Sequence, residues 1–289
     1  MNVLVRPATR ETVQLPLVVG GRASAPAEWE AWAEEPGVDL VAHEDGRVVG
    51  GVHVSMVSRT EAWLEGLRVH PEAQGRGIAA QLVKGAEGVA RHYGASVART
   101  AVPAHEYAAQ AVAERVGYRS VLRCSVVRAP LPSGPARMPY DAPLEVPVAA
   151  HSAEILRVLE STTALVAWQH LVPLGWRFRR LVPELVTGLV KDRRVLTALQ
   201  PGARRSVLQA AAFYAWHDED VVISLSWGSP SGLQAVFGAL TEEARGRGTS
   251  HVVMFTPDVR SLESLDVREW TPHTWCPEGL SVVEKNLAT

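Results

Sequence analysis

Two cysteines, four methionines, four phenylalanines and a net charge of only −2 are little for a chain of 289 residues. Each scarcity excludes something. Cys124 and Cys276 lie far apart and carry no Cys-x-x-Cys spacing, so the sequence offers neither a disulfide framework nor a cysteine metal site. Two reduced, buried thiols in a cytoplasmic protein are expected instead. The histidines, among them His43, His53, His70, His92 and His105, show no His-x-x-x-His pattern, and no metal is expected. Acids and bases balance in both halves of the chain, which leaves no basic face for a nucleic acid. No stretch approaches the ~20 apolar residues of a membrane span. Arg6 and Arg10 interrupt the N-terminal apolar residues where a signal peptide would need them continuous. A soluble, cytoplasmic protein is expected.

What the chain does contain is globular. Hydrophobic residues make up 47% and charged residues 21%, and the length suits two ordinary domains better than one. Residues 129–147, APLPSGPARMPYDAPLEVP, include six prolines, which remove backbone donors and favour an extended chain. The expected division is a domain over 1–130, a proline-rich linker over 131–144 and a second domain over 145–289.

The first half reads as a strand (VLVRPAT), a helical region (PAEWEAWAEE), then two β runs around a turn at Glu44–Gly46 and a third, EAWLEGLRVH. Apolar residues at Ile78, Leu82, Ala86, Val89, Ala90 and Tyr93 recur at helical spacing, and Gly94 ends that helix. A strand, a helix (EYAAQAVAERVG) and a closing strand follow. The second half repeats the order: EVPVA as a strand, SAEILRVLESTTALVAWQHL and WRFRRLVPELVTGLV as helices, a hairpin around Pro201-Gly202, then DVVISLSW, a helix and HVVMFTP. At an offset of 154, Ala90, Arg91, Gly94, Ser96 and Pro103 meet Ala244, Arg245, Gly248, Ser250 and Pro257. Shared order and shared residues together read as a tandem duplication.

One loop carries a chemical suggestion. In VHPEAQGRGIAAQL, residues 69–82, Gly75 and Gly77 flank Arg76 between a strand and a helix. The first amides of a helix have no partners within it, and the helix dipole adds positive potential there. Glycines let a phosphate approach the backbone, and an arginine adds charge-assisted bonds. By itself a Gly-x-Gly is a tight turn, and this one is neither a Walker loop nor a dinucleotide fingerprint.

With its strand and helix, LRVHPEAQGRGIAAQLV resembles the acyl-CoA-binding motif of the GNAT acetyltransferase superfamily, Gln/Arg-x-x-Gly-x-Gly/Ala, here Gln74, Gly77 and Ala79. Arg115-Val116-Gly117-Tyr118 is similar to the end of that family's next helix. The resemblance covers residues 3–128. It implies an α/β (α+β) protein of two tandem acyl-CoA N-acyltransferase folds, each a mixed, mostly antiparallel sheet flanked by helices. It implies acetyl-CoA as co-substrate, with its pyrophosphate on the amides of Gly75, Arg76, Gly77, Ile78, Ala79 and Ala80. The backbone of Leu67, Arg68 and Val69 would pair with the pantetheine arm.

Transfer to an amine needs a base, an oxyanion site and protonation of the departing thiolate. Glu61, Trp63 and Glu65 share one strand face by period two, a face that the same alternation assigns to Leu67 and Val69. Glu65 is the candidate base, since a carboxylate beside an indole and a cofactor is partly desolvated; a solvated or ion-paired strand carboxylate is the alternative. The tyrosine that often serves the family as acid falls here on Ala113, and the family's asparagine on Glu106. In the second half, the offset places Gly228–Leu233, GSPSGL, on the loop, with Ser231 at the key glycine. That copy resembles a degenerate domain without a cofactor. The expected activity is therefore acetylation of an amine on a small molecule or peptide. A non-catalytic CoA-binding or scaffolding pseudo-acetyltransferase is the alternative, no nucleic acid or membrane partner is expected, and a homodimer is left open.

Overall fold

A computed structural model describes residues 3–9, 18–19, 22–23, 37–132, 144–145, 151–200, 207–217, 219–259, 262, 265 and 269–288. The helix expected over 26–35, most of the proline-rich linker and the Pro201-Gly202 turn lie outside these residues. The chain forms two compact units that do not divide at one point in the sequence. The first comprises residues 1–102, 106–121 and 282–289, and the second 103–105 and 122–281.

In the first unit the strands are β1 (Val3–Pro7), β4 (Gly37–Glu44), β5 (Arg47–Met56), β6 (Glu61–Val69), β7 (Val97–Pro103) and β17 (Leu280–Asn286), adjacent in that order. The short strands β2 (Val18–Val19) and β3 (Arg22–Ala23) pair with each other. Pairing is antiparallel from β1 to β6 and parallel between β6 and β7. The parallel step follows from the connection, because a helix, α1 (Ile78–His92), carries the chain across. Ile78, Leu82, Ala86 and Ala90 repeat every fourth residue, and this stripe packs on Leu40, Val52 and Leu64 of the sheet. A second helix, α2 (Tyr107–Arg115), leads into β8 (Arg119–Pro130).

The last residues of the chain complete this first core. Val283 and Leu287 are buried within it, and the Leu287 amide donates to Ser96 O at 2.7 Å. Lys285 Nζ donates to both carboxylate oxygens of Glu87 on α1 at 2.9 Å and to the Val116 carbonyl at 2.7 Å. Glu284 accepts from Arg99 Nε at 2.6 Å, while Arg99 Nη1 donates to Glu61 at 2.5 Å. Nothing in the local pattern of SVVEKN identifies it as part of the N-terminal core; only the tertiary pairing does.

The second unit orders its strands as β8, β15 (His251–Thr256), β14 (Asp220–Gly228), β13 (Val207–His217), β12 (Val195–Gln200) and β9 (Leu144–Glu145), with β16 (Thr271–Pro272) on β8. Again one pair, β14 with β15, is parallel and the others are antiparallel. The helices are α3 (Ser152–Glu160), α4 (Thr163–Ala167), α5 (Pro183–Lys191) and α6 (Pro230–Gly246), the last packing on the β12–β14 sheet. The helix expected to start at Trp176 begins instead at Pro183. Arg177–Arg180 is a strand, β11, paired with β10 (Leu171–Leu174). Phe178 is buried between two exposed or half-exposed arginines, the period-two pattern of a strand. Each unit is thus a mixed, mostly antiparallel sheet flanked by helices. No helix among the described residues is long and apolar enough to cross a membrane.

Both cysteines are free and buried in the second unit. Burial pushes the Cys124 thiol up to about 12, helped by the nearby Cys276, and burial alone pushes Cys276 to about 12. Such a thiol is ionised to roughly one part in 10,000 at pH 8. Titration of the native protein with a disulfide reagent at that pH should therefore modify neither thiol within minutes, and both on unfolding. Rapid reaction of the native chain would contradict the burial described.

Candidate functional site

The connection from β6 to α1 differs between the two halves. Eight residues, 70–77, separate Val69 from Ile78. His70 starts a 3-10 turn, Pro71–Ala73, by accepting from the Glu72 amide. Gln74 Nε2 then reaches back to the Val69 carbonyl at 3.1 Å, which fixes the loop on the end of the strand. Gly75 and Gly77 follow with φ of +72° and +79°, a left-handed region costly for any side chain. A Cβ at either glycine would meet nothing within 4 Å, so conformation and not crowding requires glycine there. Gly77 caps α1 with no side-chain hydrogen bond, leaving the helix N-terminus to whatever polar group comes to it. Ile78 is buried in the core, and Ala79 and Ala80 are half-buried beside it. Arg76 is not free: its guanidinium donates to the Glu44 carboxylate.

In the second unit a single residue, Ser229, separates Gly228 from Pro230. The ungapped alignment treats this loop as altered by substitution; in the folded chain it is deleted, because β14 runs on to Gly228. Ser229 Oγ accepts from the Gly232 amide at 3.2 Å, satisfying an amide that Gly77 leaves uncapped. A Cβ at Gly232 would lie 2.8 Å from the Ala210 Cβ. The start of α6 is therefore both capped and pressed onto β13.

The strand leading into the loop has two further features. The parallel ladder between β6 and β7 covers only Glu61–Trp63 against Val97–Arg99, so it ends three residues into β6. On the other side, His53 pairs with Glu65 and Gly51 with Arg68. Three steps along β6 therefore match two along β5, a β-bulge at Gly66, whose φ is +65°. The bulge overturns the expectation of a single face. Leu67 and Val69 pack with Ala62 and Leu64 into the α1 core, whereas Trp63 and Glu65 alternate to the other face. Arg68 is exposed, with Nη1 on the Leu67 carbonyl.

Glu65 stands in a cross-strand row with His53 and Asp39, and His53 Nδ1 lies 2.8 Å from Asp39 Oδ1. Glu61 is committed elsewhere, buried in the ion pair with Arg99 and accepting from Ser58 Oγ at 3.3 Å. Ala113 is buried, and its carbonyl accepts from the Tyr118 amide at 2.9 Å. Tyr118 is buried, and burial, then the Glu87 charge, drives its phenol well above the usual range. Its hydroxyl has no hydrogen-bond partner. Tyr107 is 73% exposed at the start of α2.

A bulged strand whose ladder to its parallel neighbour stops early is thus followed by a glycine turn and a helix with no side-chain cap. Residues 8–118 match the sequence model of the acetyltransferase (GNAT) family. That match covers the N-terminal part of the chain, and the two-unit architecture fits a tandem arrangement of the GNAT fold. No curated protein matches the chain in sequence. Among solved structures, it is similar to a GCN5-related N-acetyltransferase from Sphaerobacter thermophilus, at 16% identity and TM-score 0.62 over 99% of this chain and 96% of that one. It is also similar to a tandem GNAT protein from the clavulanic acid biosynthesis pathway, at 14% identity and TM-score 0.60, covering 100% and 99%. A glucosamine N-acetyltransferase region of a fungal multi-domain β-N-acetylglucosaminidase gives 12% identity and TM-score 0.67, over 98% of this chain and 38% of that one. At such identities these likenesses establish the fold.

Proposed function

We propose that the chain is an N-acetyltransferase that moves an acetyl group from acetyl-CoA to an amine of a small molecule or peptide, with CoA held by the first unit. The observation that carries this reading is the uncapped N-terminus of α1 behind two left-handed glycines, present in one unit and deleted from the other. On this reading the amides of Gly75 to Ala80 take the pyrophosphate. The backbone of Leu67, Arg68 and Val69, past the end of the β7 ladder, takes the pantetheine arm. Gln74 positions the loop through Val69. Acetyl-CoA supplies an activated thioester; the acceptor nitrogen forms the new amide bond as the carbon–sulfur bond breaks, and CoA leaves as the thiolate, which takes its proton from solvent. Glu65 accepts the amine proton. Residues 1–130 would be the transferase domain, completed by 282–289, and 145–281 a second domain without a cofactor.

Glu65→Gln should lower kcat by about 100-fold while leaving the KM for acetyl-CoA within about twofold, measured on an amine panel by thiol release. An unchanged kcat would remove Glu65 from the mechanism. A second reading, CoA binding without catalysis, is favoured by Ala113, which puts no hydroxyl at the family's tyrosine position. Tight CoA binding with no turnover across the panel would support that reading against the first.

A further inference from the structure

Arg76 lies between the two left-handed glycines, and Glu44, which holds its guanidinium, is the last residue of β4, just before the Asp45-Gly46 turn. The Glu44 side chain is 11% exposed and that of Arg76 32%, so the carboxylate is the better sheltered and the guanidinium the freer to move. No glycine motif contains Glu44; it reaches the loop from 32 residues upstream. The effect is to place a negative charge on the guanidinium of the loop at which, on the reading above, a diphosphate is received. A diphosphate there would meet favourable amides and a helix dipole, but also a like charge that has already claimed the loop's only arginine.

We infer that Glu44 is a competitor for the CoA diphosphate and sets the affinity of the site. This inference rests on the proposal that the first unit holds CoA. Arginine forms charge-assisted, bidentate bonds to phosphate as it does to carboxylate, and a diphosphate carries more charge than one carboxylate. The guanidinium therefore transfers from Glu44 to the phosphate on binding, and the carboxylate left behind opposes the ligand. Its presence keeps CoA, the product, from binding as tightly as the seat alone would allow.

The test is Glu44→Gln, with CoA and pantetheine as probes in titration calorimetry or product inhibition. The variant should bind CoA about three- to tenfold more tightly, the size expected for a partly exposed ion pair and one like charge removed. Pantetheine, which lacks the phosphates, should bind both proteins equally. Salt should weaken CoA binding more steeply in the variant, because the seat has gained a net positive charge. Unchanged or weaker CoA binding would overturn the inference, since it would mean that Glu44 pre-orders Arg76 for phosphate. Equal tightening of pantetheine would overturn it as well. Failure of the unaltered protein to bind CoA at all is a separate result, and would strike the proposed function itself.

Discussion

Gly77→Glu should abolish CoA retention by the folded protein, with an affinity loss of at least about 100-fold. Two effects add. A side chain at φ +79° costs about 1–2 kcal/mol, and a carboxylate at the N-cap of α1 occupies the amides and repels the diphosphate. Gly77→Ala has the first effect without the second, so the difference between the two variants isolates the electrostatic part. It should exceed about tenfold. The matching experiment in the second unit is Ser229→Ala, which removes the α6 cap at a cost of about 1 kcal/mol and should leave CoA affinity unchanged. Normal CoA binding by Gly77→Glu would show that the loop is only a turn.

The other large effect lies at the far end of the chain. Removing residues 282–289 should prevent the first unit from folding stably, although none of them belongs to the N-terminal half. The deletion strips Val283 and Leu287 from the core and leaves two buried ions, Glu87 and Arg99, each short of a partner. Lys285→Met removes the ion pair with Glu87 and the bond to the Val116 carbonyl while leaving Val283 and Leu287 in the core. Breaking a buried pair typically costs 3–5 kcal/mol. Here about 2–3 is expected, because Arg91 remains 3.5 Å from Glu87. Denaturant unfolding monitored by CoA binding should report this loss. Adding Glu87→Gln should recover part of it, since the stranded charge is then gone. A chain ending at Ser281 that kept its stability and bound CoA would disprove the exchange of segments between units.

These two predictions mark the boundary between what the sequence determined and what the tertiary structure decided. Short-range patterns sufficed for the conformation of the loop. A strand, a pair of glycines and a helical stripe lie within twenty residues of one another, and their meaning depends on backbone conformations set locally. The missing tyrosine at Ala113 was equally legible, because a helix fixes which side chain occupies each position. The tandem repeat showed itself in element order and in five shared residues. The face of Glu65 did not, since strict alternation from Glu61 to Val69 assumes an unbroken strand, and the bulge at Gly66 exists only in register against β5. Nor did the partner of Arg76, contributed by Glu44 from another hairpin. The deletion of the second loop was hidden because a gapless offset, correct for α6 and β15, cannot show that β14 runs on to Gly228. SVVEKN reads as any amphipathic strand; its place beside β7 is a matter of long-range pairing, which no local propensity encodes.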